Sequence, residues 1–472
     1  MARNDLIVIG GGVAGLVTCA GAAALGLRAV LIERERLGGD CLWSGCVPSK
    51  ALLASARVAH EARCGSDWGL PSCELPIAMS EVMARMRIAR SRIAVHDDPE
   101  RFRRLGVDVV IGDAQVVSPR AVRVDGRLIE GTRLVVATGA GPARPPIPGL
   151  EDAPTLDYAT VFEQDDFPRR ICVLGGGPIG LEFAQIFARL GLAVSVIEAL
   201  ERVLPREDAE ASAVMAEALR AEGIRVEVGA PVDAVVRRDG AWVVRAVRGG
   251  EAIEIPTDLV FVATGRRSRG DGLGLEGIGV VVERGAVQVD PTLRTAVRSV
   301  WAVGDVIGGP QFTHVADYQA KLLLRNLLVP VRGRVRYTHV PTVTYTDPEV
   351  ARLGVTEAEA RDQHDDVRVY RYDFGDLDRA IVDGHTTGFV KVVTGRRGRI
   401  LGATIVGRNA GELLPVLVLA MHRGVPFPHL ARQVWAYPTM AEGIKRAADA
   451  HYREAFAGRR GKLLRAVVRW LA

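Results

Sequence analysis

Cysteine is scarce in this chain, with six among 472 residues. So few exclude a disulfide scaffold and imply a reducing compartment with one functional pair. No apolar run reaches the ~18 residues needed to span a bilayer. The nearest, LLPVLVLAM, is short and holds Pro415. The start, MARNDLIVIGGG, has no signal-like apolar region before its first strand, which argues against secretion and for a cytoplasmic protein. Acid is missing from the last stretch, GRRGKLLRAVVRWLA. Its Arg459, Arg460, Lys462, Arg465 and Arg469 account for the whole net charge of +5. The rest is balanced, so no nucleic-acid partner is expected. On a helix, Lys462, Arg465 and Arg469 share one face, and Leu463, Leu464, Val467 and Leu471 the other. That pattern over 458–472 suits peripheral contact with an anionic membrane, here its inner face, or docking on the protein itself or a partner subunit.

Glycine is plentiful, at 52 residues, and two groups of it lie in an internal repeat. VIGGGVAGLVTCAGAAALGLRAVLIE (8–33) aligns in register with VLGGGPIGLEFAQIFARLGLAVSVIE (173–198). Each copy reads as a strand, a glycine turn, a helix and a second strand ending in an acid. Gly10 and Gly175 permit a tight turn. Gly12 and Gly177 let the backbone approach a pyrophosphate, and Gly15 and Gly180 allow close helix–strand packing. Free N–H groups at each helix start point at the phosphates. Glu33 and Glu198 stand where a carboxylate accepts bonds from ribose hydroxyls. Two such copies predict two dinucleotide sites, the first for an FAD-like molecule if the second takes a nicotinamide. Glu198 favours NADH, because a carboxylate repels a 2′-phosphate, although Arg202 and Arg206 nearby leave NADPH open.

Other segments fit this division. LVVATGA, with Thr138 and Gly139, and LVFVATGRR, with Gly265, read as buried strands followed by tight turns near the cofactor crevice. VWAVGDV ends in Asp305, placed to bond a ribitol hydroxyl. The expected organisation is a first nucleotide domain at 1–148, a second at 149–266, a return to the first at 267–335, and a third, α+β domain at 336–472.

GGDCLWSGCVPSK (38–50) holds Cys41 and Cys46. Pro48 presets a helix start, so Cys46 lies at a helix N-terminus, where the dipole and free N–H groups favour a thiolate. Residues five apart do not share a helix face, so the pair needs an irregular turn, which Gly45 permits. With GGGPIGLEFA, VWAVGDV, YTDPEVARLGVTEAEA and AYPTMAEG, this stretch resembles the FAD-dependent pyridine nucleotide-disulfide oxidoreductases over residues 5 to about 455. The resemblance implies an α/β fold with two Rossmann-like domains, for FAD and NAD(P), and a C-terminal dimerisation domain. It also implies a homodimer whose active site uses both subunits.

By the same resemblance, Cys46 is the thiol nearest the flavin, able to make a charge-transfer contact, and Cys41 is the outer thiol of a redox-active disulfide. Lys50 and Glu182 match an ion pair beside flavin and nicotinamide. Gly39 and Ala316 fall among the cofactor-facing positions. Electrons are expected to pass from NAD(P)H to FAD, then to Cys41–Cys46, then to a disulfide or thiol-linked acceptor.

One position departs from the family pattern. Where most members carry a base histidine followed by Pro-Thr and a glutamate, this chain has Tyr437, Pro438, Thr439 and Glu442. A tyrosine near pKa 10 does not trade protons readily at neutral pH, though it donates a hydrogen bond. The tyrosine is similar to mercuric reductase, yet the tail lacks that enzyme's cysteine pair, and Cys64 and Cys73 match no ligand spacing, so no metal site is assigned. A soft-metal reductase, a membrane-associated quinone or partner-protein reductase, and a redox-sensing flavoprotein remain alternatives.

Overall fold

The computed structural model describes residues 4–457 and 459–471, which group into two units. The first is Met1–Ser55, Ile77–Pro168 and Leu259–Tyr337; the second is Ala56–Pro76, Arg169–Asp258 and Thr338–Ala472. Residues 149–168 and 259–266 are counted with the first unit, where strands Thr155–Asp157 and Leu259–Val262 pair in parallel.

In the first unit, β1 (Asn4–Ile9) leads through α1 (Val13–Ala24) to β2 (Ala29–Glu33). The two strands pair in parallel, from Leu6 opposite Ala29 to Ile9 opposite Ile32. Strand Val107–Ile111 flanks β2, Arg127–Val136 flanks β1, and Val300–Ala302 joins Arg127–Val136, all in parallel. Strands buried on both faces need unbroken apolar runs. Accordingly, Leu6, Val8 and Val135 enter one core while Ile7, Ile9, Leu134 and Val136 enter the other. Three helices follow β2: α2 (Gly39–Trp43), α3 (Cys46–Arg63) and α4 (Met79–Ala94).

The second unit repeats the motif. Strand Arg170–Leu174, helix Pro178–Arg189 and strand Ala193–Ile197 follow the same order, and the two strands pair in parallel with Arg225–Glu227 on the far side. A three-stranded antiparallel sheet covers Val232–Thr257. The α+β region expected from residue 336 forms a five-stranded antiparallel sheet. Its strands lie in the order Pro341–Thr344, Glu349–Gly354, Ile400–Gly407, Phe389–Thr394 and Arg368–Asp373. Helices Ala410–His422 and Glu442–Ala457 supply Leu414, Leu417 and Ile444 to its core, against Tyr370, Phe374, Val390 and Ile405.

Candidate active site

β1 ends at Ile9 and the chain turns at Gly10, with φ +111°, into α1, capped by Gly12. A methyl on Gly15 would lie 1.9 Å from the Gly10 carbonyl oxygen, and one on Gly10 would lie 2.3 Å from that of Ala137. Both obstacles are backbone and neither can swing away. Gly12 is different: a methyl there would meet Gly39 Cα at 3.8 Å, with open space beyond. The second copy has the same geometry. Gly175 has φ +107°, and a Gly180 methyl would lie 2.0 Å from the Gly175 carbonyl oxygen. Among the described residues nothing comes within 4 Å of a Gly177 methyl.

The acid closing each repeat is fixed by bonds that the motif does not announce. Glu33 accepts from the N–H of Gly11 at 2.6 Å and of Glu35 at 2.9 Å. Glu198 accepts from Gly176 at 2.7 Å and Leu200 at 2.9 Å. Each carboxylate is therefore locked beside its glycine turn. Both cradles fit a dinucleotide, with room for a pyrophosphate over Gly12 or Gly177, a helix start facing it, and a fixed acid for the ribose. Arg202 is turned onto its own loop, donating to the carbonyls of Pro205 and Glu207 at 3.0 and 3.2 Å.

Around the first cradle, Gly39 has φ +57°, and a methyl there would strike Gly12 Cα at 2.7 Å. Thr138 Oγ1 donates to the Arg269 carbonyl at 2.7 Å, and Arg269 N–H returns to Gly139 at 3.0 Å. Gly265, with φ +139°, accepts from Ala143 N–H at 3.0 Å. Ala316 is buried on helix Thr313–Leu328. Asp305 sits in a short turn after Val300–Ala302 and pairs with Arg266 Nη2 at 3.0 Å. Arg266 also holds Asp40 at 3.1 Å and lies over the buried Tyr158 ring, 5.4 Å from its centroid. Burial raises the Asp305 carboxyl even against the opposing pull of Arg266. Burial likewise pushes the Tyr158 phenol up to about 12. Sequence reasoning found Asp305 but neither Asp40 nor Arg266, although both stand within quoted motifs.

The cysteines straddle a helix break. Cys41 lies in α2, Ser44 leaves helical geometry at φ −141°, and α3 begins at Cys46. Gly45 serves a steric purpose rather than the conformational freedom expected of it. A methyl there would sit 2.8 Å from the Asp40 carbonyl oxygen, so only glycine lets the chain fold back this closely. The Gly45 carbonyl starts the α3 ladder, accepting from Ser49 N–H at 3.1 Å and Ser49 Oγ at 2.8 Å. The two sulfurs face each other as thiols. A hydrogen bond to Cys46 raises the Cys41 thiol most, followed by burial and the charge of Cys46, while Thr313 acts the other way. Cys46 Sγ lies 3.4 Å from Thr313 Oγ1. Lys50 follows one turn along α3. The remaining cysteines are set apart: Cys19 and Cys172 are buried, the latter pushed up to about 12 by burial, and Cys64 lies 3.7 Å from His60 Nε2.

In the second unit, Glu182 is buried on helix Pro178–Arg189 and accepts from Tyr345 N–H at 3.0 Å. Tyr437 is exposed, and its hydroxyl donates to Asp378 Oδ2 at 3.0 Å. That bond, with the Asp378 charge, raises the phenol above its ordinary value, away from any neutral-pH role as a base. Glu442 is buried at the start of its helix, 3.8 Å from Arg446 Nη2.

Residues 4–320 match the pyridine nucleotide-disulphide oxidoreductase family, and residues 340–448 match that family's dimerisation domain. The chain belongs to this family. It is 34% identical to a dihydrolipoyl dehydrogenase of Thermus scotoductus, over 96% of this chain and 99% of the relative. It is 32% identical to a mercuric reductase of Bacillus cereus, over 94% of this chain and 70% of that protein. Among solved structures, the HOCl-induced flavoprotein disulfide reductase RclA from Escherichia coli superposes with a TM-score of 0.85 at 28% identity, covering 94% of this chain and 99% of that one. The protein is thus an FAD- and NAD(P)H-dependent oxidoreductase of the disulfide reductase type. Its dimerisation domain makes it a homodimer. No helix of the described residues is long and apolar enough to cross a membrane.

Proposed function

We propose that this oxidoreductase draws electrons from NADH and delivers them through Cys41 and Cys46 to a small disulfide or thiol-linked acceptor. The observation that carries this reading is the thiol pair folded face to face across the Gly45 break, at a helix start and next to the first cradle's Gly39. In the proposed assignment the Gly10–Gly15 cradle holds FAD with Glu33, Thr138, Gly139, Asp305 and Ala316. The Gly175–Gly180 cradle holds NADH with Glu198. Bound FAD supplies the two-electron relay between nicotinamide and sulfur. The chain's own groups do the rest. Glu198, held by two N–H bonds, receives a ribose and disfavours a 2′-phosphate, while Arg202 is engaged within its own loop. Lys50 and Glu182 set the charge on the flavin and nicotinamide sides, respectively. Cys41 exchanges with the acceptor, and Cys46 completes the disulfide. Tyr437 binds rather than titrates, and Glu442 anchors the loop that carries it.

Anaerobic titration of the flavin-loaded protein with NADH tests this reading. A long-wavelength absorption band that disappears in Cys46→Ser supports it. A fully reduced protein with no such band in the wild type rejects it.

We further infer contact with anionic lipid through helix Arg459–Leu471. Val467, Val468, Trp470 and Leu471 are exposed beside the exposed Arg465 and Arg469. The side chains of Arg459, Arg460, Lys462, Leu463 and Leu464 lie outside the described residues. Co-sedimentation with phosphatidylglycerol vesicles should fall when 458–472 are removed; equal sedimentation removes the idea.

A further inference from the structure

The helix that carries Cys41 is too short to hold itself. α2 spans five residues, Gly39–Trp43, and its N-cap, Gly38, offers no side-chain bond. A helix of this length has no stability in isolation, so tertiary contacts must fix it. Its far end is held by Arg90, which donates to the Trp43 carbonyl at 3.2 Å. Its near end is held by Asp40. The Asp40 carbonyl accepts from Ser44 N–H at 2.9 Å, at the break between the two cysteines, and is the group against which Gly45 packs. The Asp40 carboxylate accepts from Arg266 Nη2 at 3.1 Å and lies 3.6 Å from Arg269 Nη1. One residue therefore meets the break through its backbone and two arginines through its side chain, and Cys41 is its neighbour in the chain.

The arginines stand on a braced platform. Strands Ala140–Pro142 and Arg266–Ser268 pair antiparallel, with Arg266 opposite Pro142 and Ser268 opposite Ala140. Ser268 Oγ donates to the Asp305 carbonyl at 2.7 Å. Arg266 Nη2 pairs with the Asp305 carboxylate at 3.0 Å, so a single nitrogen stands between Asp40 and Asp305. The three side chains are at most 25% exposed, so salt and water screen them little.

We propose that Asp40 and Arg266 are positioning residues for the thiol pair. Arg266 ties α2 to the Asp305 turn, and Asp40 passes that tie to the break between Cys41 and Cys46, so the two sulfurs stay in register for disulfide closure. The inference rests on the dithiol reading above. A disulfide closes only within a narrow range of Cα separation and torsion. Freeing α2 widens what the dithiol samples and leaves the closed form less favoured, which makes the pair a stronger oxidant.

The test uses the FAD-loaded dimer in buffers of reduced and oxidised dithiothreitol, with the state of Cys41 and Cys46 read by acid quench, alkylation and mass spectrometry. At equilibrium the two protein thiols give two hydrogens to oxidised dithiothreitol, and the protein disulfide forms as the reagent's S–S bond breaks. Asp40→Ala should weaken closure about tenfold, raising the potential by about 30 mV. Arg266→Met should raise it similarly. Asp40→Asn, which keeps an oxygen for Arg266 Nη2, should recover most of the loss. Charge acting alone gives a different pattern. Loss of the Asp40 carboxylate then favours thiolates and raises the potential in Asp40→Asn as much as in Asp40→Ala, whereas loss of the Arg266 cation lowers it. A potential that falls in Arg266→Met, rises equally in the two Asp40 variants, or stays unmoved in Asp40→Ala overturns the positioning role. If Arg266→Met takes up no FAD, the comparison of Asp40→Ala with Asp40→Asn decides. A wild type that shows the long-wavelength band on NADH titration while the Asp40→Ala potential stays unmoved overturns this inference alone. Absence of the band in the wild type overturns the dithiol reading and this inference with it.

Discussion

Replacing Gly177 and Gly180 in turn with alanine should separate nucleotide binding from folding within one turn of helix. At Gly180 the added methyl would sit 2.0 Å from the Gly175 carbonyl oxygen, so helix and turn must part by more than an ångström to reach ordinary contact. Overpacking of this kind costs about 1–3 kcal/mol. For a body of this size that lowers the midpoint by roughly 2–12 °C. At Gly177 the methyl meets nothing within 4 Å among the described residues, and φ −78° with ψ 179° suits any residue. The remaining cost is that of a poorer helix cap, about 1 kcal/mol or less. The methyl does, however, fill the space in which the second cradle would receive a pyrophosphate. NAD⁺ affinity should fall at least tenfold, about 1.4 kcal/mol. Differential scanning calorimetry of the flavin-loaded dimer and titration calorimetry with NAD⁺ read the two quantities separately. The reasoning is refuted if Gly177→Ala binds NAD⁺ like the wild type, or if Gly180→Ala melts where the wild type does.

Lys391→Ala tests a buried charge cluster in the second unit. Lys391 Nζ reaches Asp208 at 3.1 Å, Glu210 at 2.8 Å and Glu357 at 2.6 Å, and the residue is 2% exposed. Removing it leaves the buried Asp208 carboxylate without its ammonium, while Glu210 keeps Arg371 and Glu357 keeps Arg361, so the loss is about 1–3 kcal/mol. Although burial opposes it, Lys391 holds the Glu210 and Glu357 carboxyls below their ordinary value. Their contribution is therefore present above the ordinary carboxylate range and lost as pH falls through the lowered folded values. Urea unfolding should show the gap between wild type and Lys391→Ala closing in acid; a gap that widens there contradicts the sign.

Much of the arrangement was legible from spacing alone. The repeat at 8–33 and 173–198 is legible because a glycine turn that admits a phosphate leaves a fixed pattern, and the structure reproduces it with nearly equal φ values at Gly10 and Gly175. The apolar runs read as strands for an equally local reason: a parallel strand buried on both faces tolerates no polar alternation. Gly45 was noticed for the wrong reason, since its need comes from the Asp40 carbonyl pressed against it, a contact that no propensity encodes.

What the sequence determined by itself, then, is the pair of nucleotide motifs, the cysteine pair at a helix start, and the tyrosine standing in a histidine's place. These follow from local rules linking residue type to turn, cap and strand. Only tertiary structure decided which charges accompany them. Arg266 is separated by more than two hundred residues from Asp40, yet bonds it and Asp305 together. This depends on where a long chain returns in space, and electrostatic reach is set by that distance rather than by separation along the chain.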